Sequence, residues 1–264
     1  MDAVLRVIED GLVGGDLQVI EELVREDYIQ HNARAEDGRA GFIAFIEQSQ
    51  SAGPMAAEIH RILADDDQVA LHVSYGIDDP TTATDERAVA FDVFRLEGGQ
   101  LAEHWDSLVP AVTAAESVSG RSNTDGPTTI SNREDTEANR ELAREFVDRV
   151  FTQGQYDLLG DYIADPYAQH NPQAGDGIDG LTDFVAAATA MGIAIGYTRT
   201  PLIVADGNFV LAGSEGYLGP VDARPFQVFY DLWRVEGGKL VEHWDIIPQM
   251  PPSLADIPHD NGFF

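Results

Sequence analysis

Asp231-Leu232-Trp233-Arg234-Val235-Glu236-Gly237-Gly238-Lys239-Leu240-Val241-Glu242-His243-Trp244-Asp245 reads as two strands about a glycine pair. Its register decides which side chains share a face. With Gly237-Gly238 as a two-residue turn, Asp231 and Asp245 point to opposite sides of the sheet. With Glu236-Gly237-Gly238 as a three-residue loop and Gly238 left-handed as a bulge, Val235 pairs with Lys239, Trp233 with Val241, Asp231 with His243 and Phe229 with Asp245. We expect the second register. It gathers Asp231, His243 and Asp245 with Trp233 and Phe229, and leaves Tyr230, Leu232, Leu240 and Trp244 on the other face.

The same phrase stands earlier in the chain. Glu103-His104-Trp105-Asp106 matches Glu242-His243-Trp244-Asp245, and Gln30-His31-Asn32 matches Gln169-His170-Asn171 at the same offset. The copies therefore run in register between the two signatures, as a gene duplication would leave them. By analogy the first copy gathers Asp92, His104 and Asp106 with Phe94. Each copy has the size of a domain, so the chain divides into a first domain over 1–112 and a second over 135–250. The stretch 113–134 is rich in Ser, Thr, Gly and Asn without apolar periodicity and reads as a linker. Residues 251–264 form a proline-containing tail that lies on a domain.

The 264-residue chain carries 46 acidic and 16 basic residues, a formal charge of −30, and Lys239 is its sole lysine. Such a surface suits a salt-loving organism, where counterions screen self-repulsion. It excludes binding to phosphate backbones and to anionic membranes. The absence of cysteine removes disulfides, thiolate metal sites and a thiol nucleophile. No apolar run approaches the roughly 18 residues of a membrane span, and Met1-Asp2-Ala3-Val4 lacks the basic start of a secretion signal, so a cytoplasmic location is expected.

In the second copy Ala138, Leu142, Phe146, Val147 and Val150 recur at helical spacing up to Gly154. A short helix follows over about 156–163, broken by Pro166, and a third carries Leu181, Phe184, Val185, Ala188 and Met191. Strands are expected near 197–205, 209–218, 225–235 and 239–247. The first copy repeats this order, with its third helix over 39–50. Three helices and then antiparallel strands argue an α+β fold, two tandem cone-shaped domains with helices over one face of a curved sheet. The interior of such a cone is a pocket. Both faces of the hairpin are apolar, so the outer face bearing Trp105 and Trp244 also needs cover. The sister domain would supply it, making the chain an intramolecular pseudo-dimer, with further oligomerisation open.

At this point the residues resemble a family. Tyr-x-Gln-His-Asn (Tyr28 to Asn32, Tyr167 to Asn171), the Asp-Gly that follows (Asp37-Gly38, Asp176-Gly177) and the closing Glu-Gly-Gly-x-Leu-x-Glu-His-Trp-Asp pattern resemble the SnoaL-like branch of the NTF2-like superfamily. The superfamily holds polyketide cyclases, ketosteroid isomerases, hydrolases, dehydratases and members without known activity. The resemblance implies a cone-shaped pocket in which an acid on the last strands is the base of an aldol closure, without metal or cofactor. Asp106 and Asp245 match that base. Asp92 and Asp231 stand where a cyclase would carry histidine, and Ala33 replaces the proline found at Pro172 in the second copy.

An ordinary aspartate, near pKa 3.9, is a weak base at neutral pH. Burial beside Phe229 and Trp233, with Asp231 close by, would raise Asp245 toward neutrality, while a charged His243 would lower it. Asp231 would then be a proton-bearing donor, as in the handling of two carboxylates by ketosteroid isomerase. Gln169, His170 and Asn171, with Gln30, His31 and Asn32, are expected on an irregular segment at the pocket rim, as donors to a developing enolate, with Tyr28 and Tyr167 beside them. His243 and Asp245 with His170 as a third ligand could form an open metal site, but metal-free chemistry is what the resemblance implies, and no metal is expected. The expected function is cofactor-free lyase or isomerase chemistry on a small carbonyl compound. The alternative is a ligand-binding or assembly module of the same fold.

Overall fold

In the computed structural model, which describes residues 1–51, 53–77 and 87–264, the chain divides into two units. One comprises Met1–Ala111 with Pro251–Phe264, and the other Val112–Met250. The segment after the first hairpin thus belongs to the second unit, and the tail after the second hairpin belongs to the first.

In the first unit α1 (Asp2–Arg6) widens into a π-helical stretch over Val7–Val13, followed by α2 (Leu17–Leu23), which Asp16 caps by accepting the Gln18 N–H at 2.9 Å. Strand β1 (Val24–Gln30) precedes α3 (Gly38–Ser51), and β2 (Met55–Asp65), β3 (Gln68–Ile77), β4 (Ala88–Glu97) and β5 (Gln100–Pro110) complete the unit. The second unit repeats it with α4 (Thr136–Phe146) and its π-helical continuation Val147–Thr152, α5 (Leu159–Tyr162), β6 (Ile163–Gln169), α6 (Gly177–Ala190), β7 (Ile193–Asp206), β8 (Phe209–Pro220), β9 (Phe226–Glu236) and β10 (Lys239–Ile246). The first helix of the first unit is the shorter.

Each sheet is mixed, in the orders β1-β5-β4-β3-β2 and β6-β10-β9-β8-β7. The edge strands β1 and β6 correct the sequence reading for the glutamines alone, since His31-Asn32 and His170-Asn171 lie just past the strand ends on the irregular segment expected for them. Gln30 and Gln169 end strands that run parallel to the last strand, opposite His104 and His243. Pro166, expected to break a helix, lies inside β6. An edge strand tolerates its missing N–H.

The hairpin register is the second correction. Gly237 and Gly238 form a two-residue turn with φ of 58° and 73°, the double positive φ of a type I′ turn, and Glu236 pairs with Lys239. A bulge at Val241 then shifts the register, so Glu242 pairs with Arg234, His243 with Trp233 and Asp245 with Asp231. The tight turn alone would send the two aspartates to opposite faces. The bulge restores them to one face, so the expected grouping holds with different pairs. In the first unit Ala102 is bulged, and His104 meets Phe94 and Asp106 meets Asp92.

The core of the second unit lies between α4, α6 and the inner sheet face, with Phe146, Leu181, Val210, Phe229 and Trp233 buried. Phe146 meets the Trp233 ring edge-on at 5.7 Å. Val7, Ile20, Phe42, Leu71 and Phe94 build its counterpart. Each such large side chain contributes about 1.5–3 kcal/mol on full burial.

Candidate functional site

Period-2 alternation along β9 and β10 aims Asp231, Trp233, His243 and Asp245 toward the helices, and the parallel β6 strand delivers Gln169 beside His243. The Gln169 carbonyl Oε1 accepts the Asn171 N–H (2.8 Å) and lies 3.0 Å from His243 Nδ1. An acceptor there requires Nδ1 to carry the proton. His243 Nε2 faces Asp231 Oδ1 at 2.9 Å, and the Tyr197 hydroxyl donates to Asp231 Oδ2 at 2.8 Å. Asn171 Oδ1 accepts the Gln173 N–H (2.8 Å), which turns its amide nitrogen onto Asp245 Oδ2 at 2.6 Å. Trp233 and Tyr167 stack on the two faces of His243, with ring centres 5.4 and 6.4 Å away.

The first unit repeats each contact. His104 Nδ1 lies 3.0 Å from Gln30 Oε1 and its Nε2 3.1 Å from Asp92 Oδ1, while the Tyr75 hydroxyl donates to Asp92 Oδ2 at 2.9 Å. Gln30 Oε1 also accepts the N–H groups of His31 and Asn32, and Asn32 Nδ2 donates to Asp106 Oδ2 at 2.5 Å. Phe94 and Tyr28 stack on His104 at 4.5 and 6.4 Å.

Electrostatics separates the members of each trio. Burial opposes the charge of His243, yet the hydrogen bond to Asp231 and the charges of Asp245 and Asp231 outweigh it and raise its pKa; His104 behaves alike with Asp92 and Asp106. Each ring meets an aspartate through Nε2, His243 at Asp231 and His104 at Asp92. Asp245 and Asp106 are each pushed up to about 6, first by burial and then by the neighbouring aspartate, against the pull of histidine and asparagine. Asp231 is sealed at 2% exposure and Asp92 at 4%, whereas Asp245 and Asp106 keep partial contact with solvent. Asp231 thus lies sealed between His243 Nε2 and the Tyr197 hydroxyl.

His170 and His31 are not brought to the trios. They lie on the other face of the strands, where His170 stacks on Trp244 (4.6 Å) and His31 on Trp105 (5.2 Å). His170 Nε2 reaches Glu242 Oε1 at 3.0 Å, and Arg234 Nε donates to Glu242 Oε2 at 2.8 Å. Burial alone would raise Glu242, but these two partners hold it below the usual carboxylate range. Trp244 is buried and donates its indole N–H to the Asp125 carbonyl at 2.8 Å. Phe229 is buried beside Tyr197, ring centres 4.4 Å apart, and Ala90 occupies its place in the first unit.

The ligand atoms of Asp231, His243 and Asp245 lie within 4.8 Å of one another, as do those of Asp92, His104 and Asp106, so each trio has the donors for a divalent cation. The set differs from the one weighed on sequence, since Asp231 takes the place given to His170. Tyr75 and Tyr197 escaped the sequence reading altogether. They stand outside the repeated motifs and carried no signal.

Comparison with known proteins places this geometry. The SnoaL-like domain matches the chain twice, over residues 4–104 and 143–243, each match ending on the histidine of its trio. No curated protein sequence matches. Among solved structures, a loop-truncation variant of IdmH shares 22% identity over 40% of this chain and 90% of its own, with a TM-score of 0.37. TsrD from Streptomyces laurentii shares 19% over 40% of this chain and 88% of its own, TM-score 0.34. A protein from Kribbella flavida named as a ketosteroid isomerase shares 20% over 45% and 85%, TM-score 0.35. Matched twice, over most of its length, the chain belongs to the SnoaL-like domain family as a tandem pair.

Proposed function

We propose that this protein is a cofactor-free enzyme that enolises a small carbonyl compound, leading to aldol-type ring closure or isomerisation, with Asp245 and Asp106 as the bases. One observation carries the reading: in each trio the single carboxylate in touch with solvent is the one raised to about 6. A base of that strength is half ionised close to neutral pH and can still pull a proton from carbon beside a carbonyl.

The carboxylate takes the α-proton, and the C–H electron pair moves into the C–C bond and on to the carbonyl oxygen. The imidazolium of His243, held by Asp231, supplies positive potential for that developing charge. Asn171 fixes the direction of the carboxylate, and Gln169 fixes the ring. The enolate carbon then attacks a second carbonyl or regains the proton from Asp245 at another carbon. The tandem pair fits an intramolecular pseudo-dimer, and the charge of −30 supports the proposal that neither nucleic acid nor an anionic membrane is a partner. No helix among the described residues is long and apolar enough to cross a membrane; a cytoplasmic site of action is part of the proposal.

The test is exchange of the α-proton of a panel of β-dicarbonyl compounds with solvent deuterium, followed by NMR. Asp106→Asn and Asp245→Asn together should slow it by at least about 100-fold, the low end for a general base. The single variants show which site works. A double variant as fast as the parent on a substrate the parent exchanges overturns the assignment.

A further inference from the structure

The segments that follow the two hairpins are themselves a repeat, at an offset one residue longer than that relating the domains. Thr113-Ala114-Ala115-Glu116 and Ser253-Leu254-Ala255-Asp256 share a hydroxyl, a free position, alanine and an acid. Each folds into a single 3-10 turn, Ala114–Glu116 and Leu254–Asp256, closed by Glu116 N–H on the Thr113 carbonyl (3.0 Å) and Asp256 N–H on the Ser253 carbonyl (3.2 Å).

Beyond the turn the two arms dock alike. The Ser122 carbonyl lies 2.7 Å from His170 Nδ1, and its counterpart, the Gly262 carbonyl, 3.2 Å from His31 Nδ1. One residue earlier, Arg121 Nη2 donates to Asp176 Oδ2 at 3.0 Å and Asn261 Nδ2 donates to Asp37 Oδ1 at 3.0 Å. Asp37 and Asp176 are themselves counterparts. The neighbouring contacts differ: Val118 N–H donates to the Pro172 carbonyl (3.0 Å), whereas Pro258 has no N–H and His259 Nε2 instead lies 3.0 Å from the Asn32 carbonyl, one position earlier in the repeat. Two matched contacts on unlike sequence, Ser122 with His170 against Gly262 with His31 and Arg121 with Asp176 against Asn261 with Asp37, mark a docking mode that outlasted divergence of the side chains.

The connectivity is crossed. The arm after the first hairpin docks on Gln169-His170-Asn171, and the arm after the second docks on Gln30-His31-Asn32. These are the segments that set the trios. Asp37 Oδ1 accepts the Gln30 N–H at 2.8 Å, Asn261 Nδ2 also donates to the Gln30 carbonyl at 3.0 Å, Gln30 Oε1 faces His104, and Asn32 holds Asp106. Outer partners of this kind fix the orientation of the groups that act.

We propose that each arm is a positioning element for the site of the repeat it does not follow, so that Pro251–Phe264 completes the first site and the segment 112–134 completes the second. This rests on reading the two trios as sites and is independent of the reaction they perform.

The experiment uses both domains together and no substrate, so its failure is distinct from failure of the proposed reaction. The titrations of His104 and His243 are followed by NMR in the parent, in a chain lacking residues 259–264, and in Asn261→Ala, Asn261→Arg and Arg121→Ala. Loss of the tail or Asn261→Ala should loosen the Gln30 acceptor, move the His104 midpoint downward and leave His243 in place. Arg121→Ala should do the converse, and Asn261→Arg, which copies the other arm, should leave His104 as in the parent. If the deletion costs the first domain its fold, seen in its amide dispersion, the two Asn261 variants decide. Arm variants that move both histidines equally, or neither, overturn the proposal.

Discussion

Tyr75 and Tyr197 give the same hydrogen bond to equivalent aspartates from opposite members of one cross-strand pair. Tyr75 on β3 faces Ala57 on β2, whereas Tyr197 on β7 faces Gly216 on β8, and Tyr75 and Gly216 are the matching positions, each four residues along from the partner of the aspartate. A Cβ at Gly216 would come within 2.1 Å of the Gly196 carbonyl oxygen, so the second domain has no room for a side chain there. The hydroxyl arrives from the neighbouring strand instead. Tyr197→Phe should cost about 1–3 kcal/mol in denaturant unfolding, because it strips Asp231 Oδ2 of its donor. Tyr75→Phe should do the same to the first domain, and an unchanged unfolding curve for both would show these hydroxyls to be dispensable.

Stability should fall as pH rises through the window set by Asp106 and Asp245. Their carboxyls are raised from near 3.8 to about 6, so the folded chain binds more protons than the unfolded one between those values and loses stability as they ionise. His104 and His243 act in the same direction, because their raised pKa gives stability present below the unfolded value and lost as pH climbs past the folded one. The Asp245→Asn variant should therefore gain stability over the parent progressively from about pH 4 to pH 6. Thermal melts at several pH values check this, and a difference that does not change with pH would contradict it.

The exchange rate should carry the same titration. With Asp245 and Asp106 near 6, kcat/KM rises with pH and levels above that value. A rate already level at pH 4 would mean that the base is an ordinary carboxylate.

Trp244→Phe keeps the ring against His170 but leaves the Asp125 carbonyl without its indole partner, and should cost about 0.5–1.5 kcal/mol. Trp244→Glu, which buries a charge with no partner, should destabilise much more. Equal midpoints for the two variants would show that this face is open to water.

The charge of −30 should make folding salt-dependent. The Debye length falls from about 10 Å at 0.1 M to about 3 Å at 1 M salt, so the melting midpoint should rise by several degrees across that range. A flat or falling midpoint would end the reading of the acidic surface as an adaptation to salt.

What the sequence determined by itself was local or repeated: the α+β order of elements, the two copies, and the pairing of Asp231 with Trp233 and of His243 with Asp245 on one face of their own strands, since alternation along a strand is a property of the strand. The turn differs from the three-residue loop expected, for Gly237 and Gly238 both take positive φ, and the bulge at Val241, which carries no residue signal, is what brings Asp231 and Asp245 to one face. Strand β6 is a parallel edge strand with a proline and an aspartate inside it. It becomes a strand only because β10, some 70 residues away in sequence, offers it a ladder, a non-local pairing that periodicity cannot register. The part played by His170, the hydroxyls of Tyr75 and Tyr197 and the crossed docking of the two arms were likewise decided by tertiary structure. Each depends on groups far apart in the chain meeting at hydrogen-bond distance, and a buried polar atom takes whichever partner the packing brings to it.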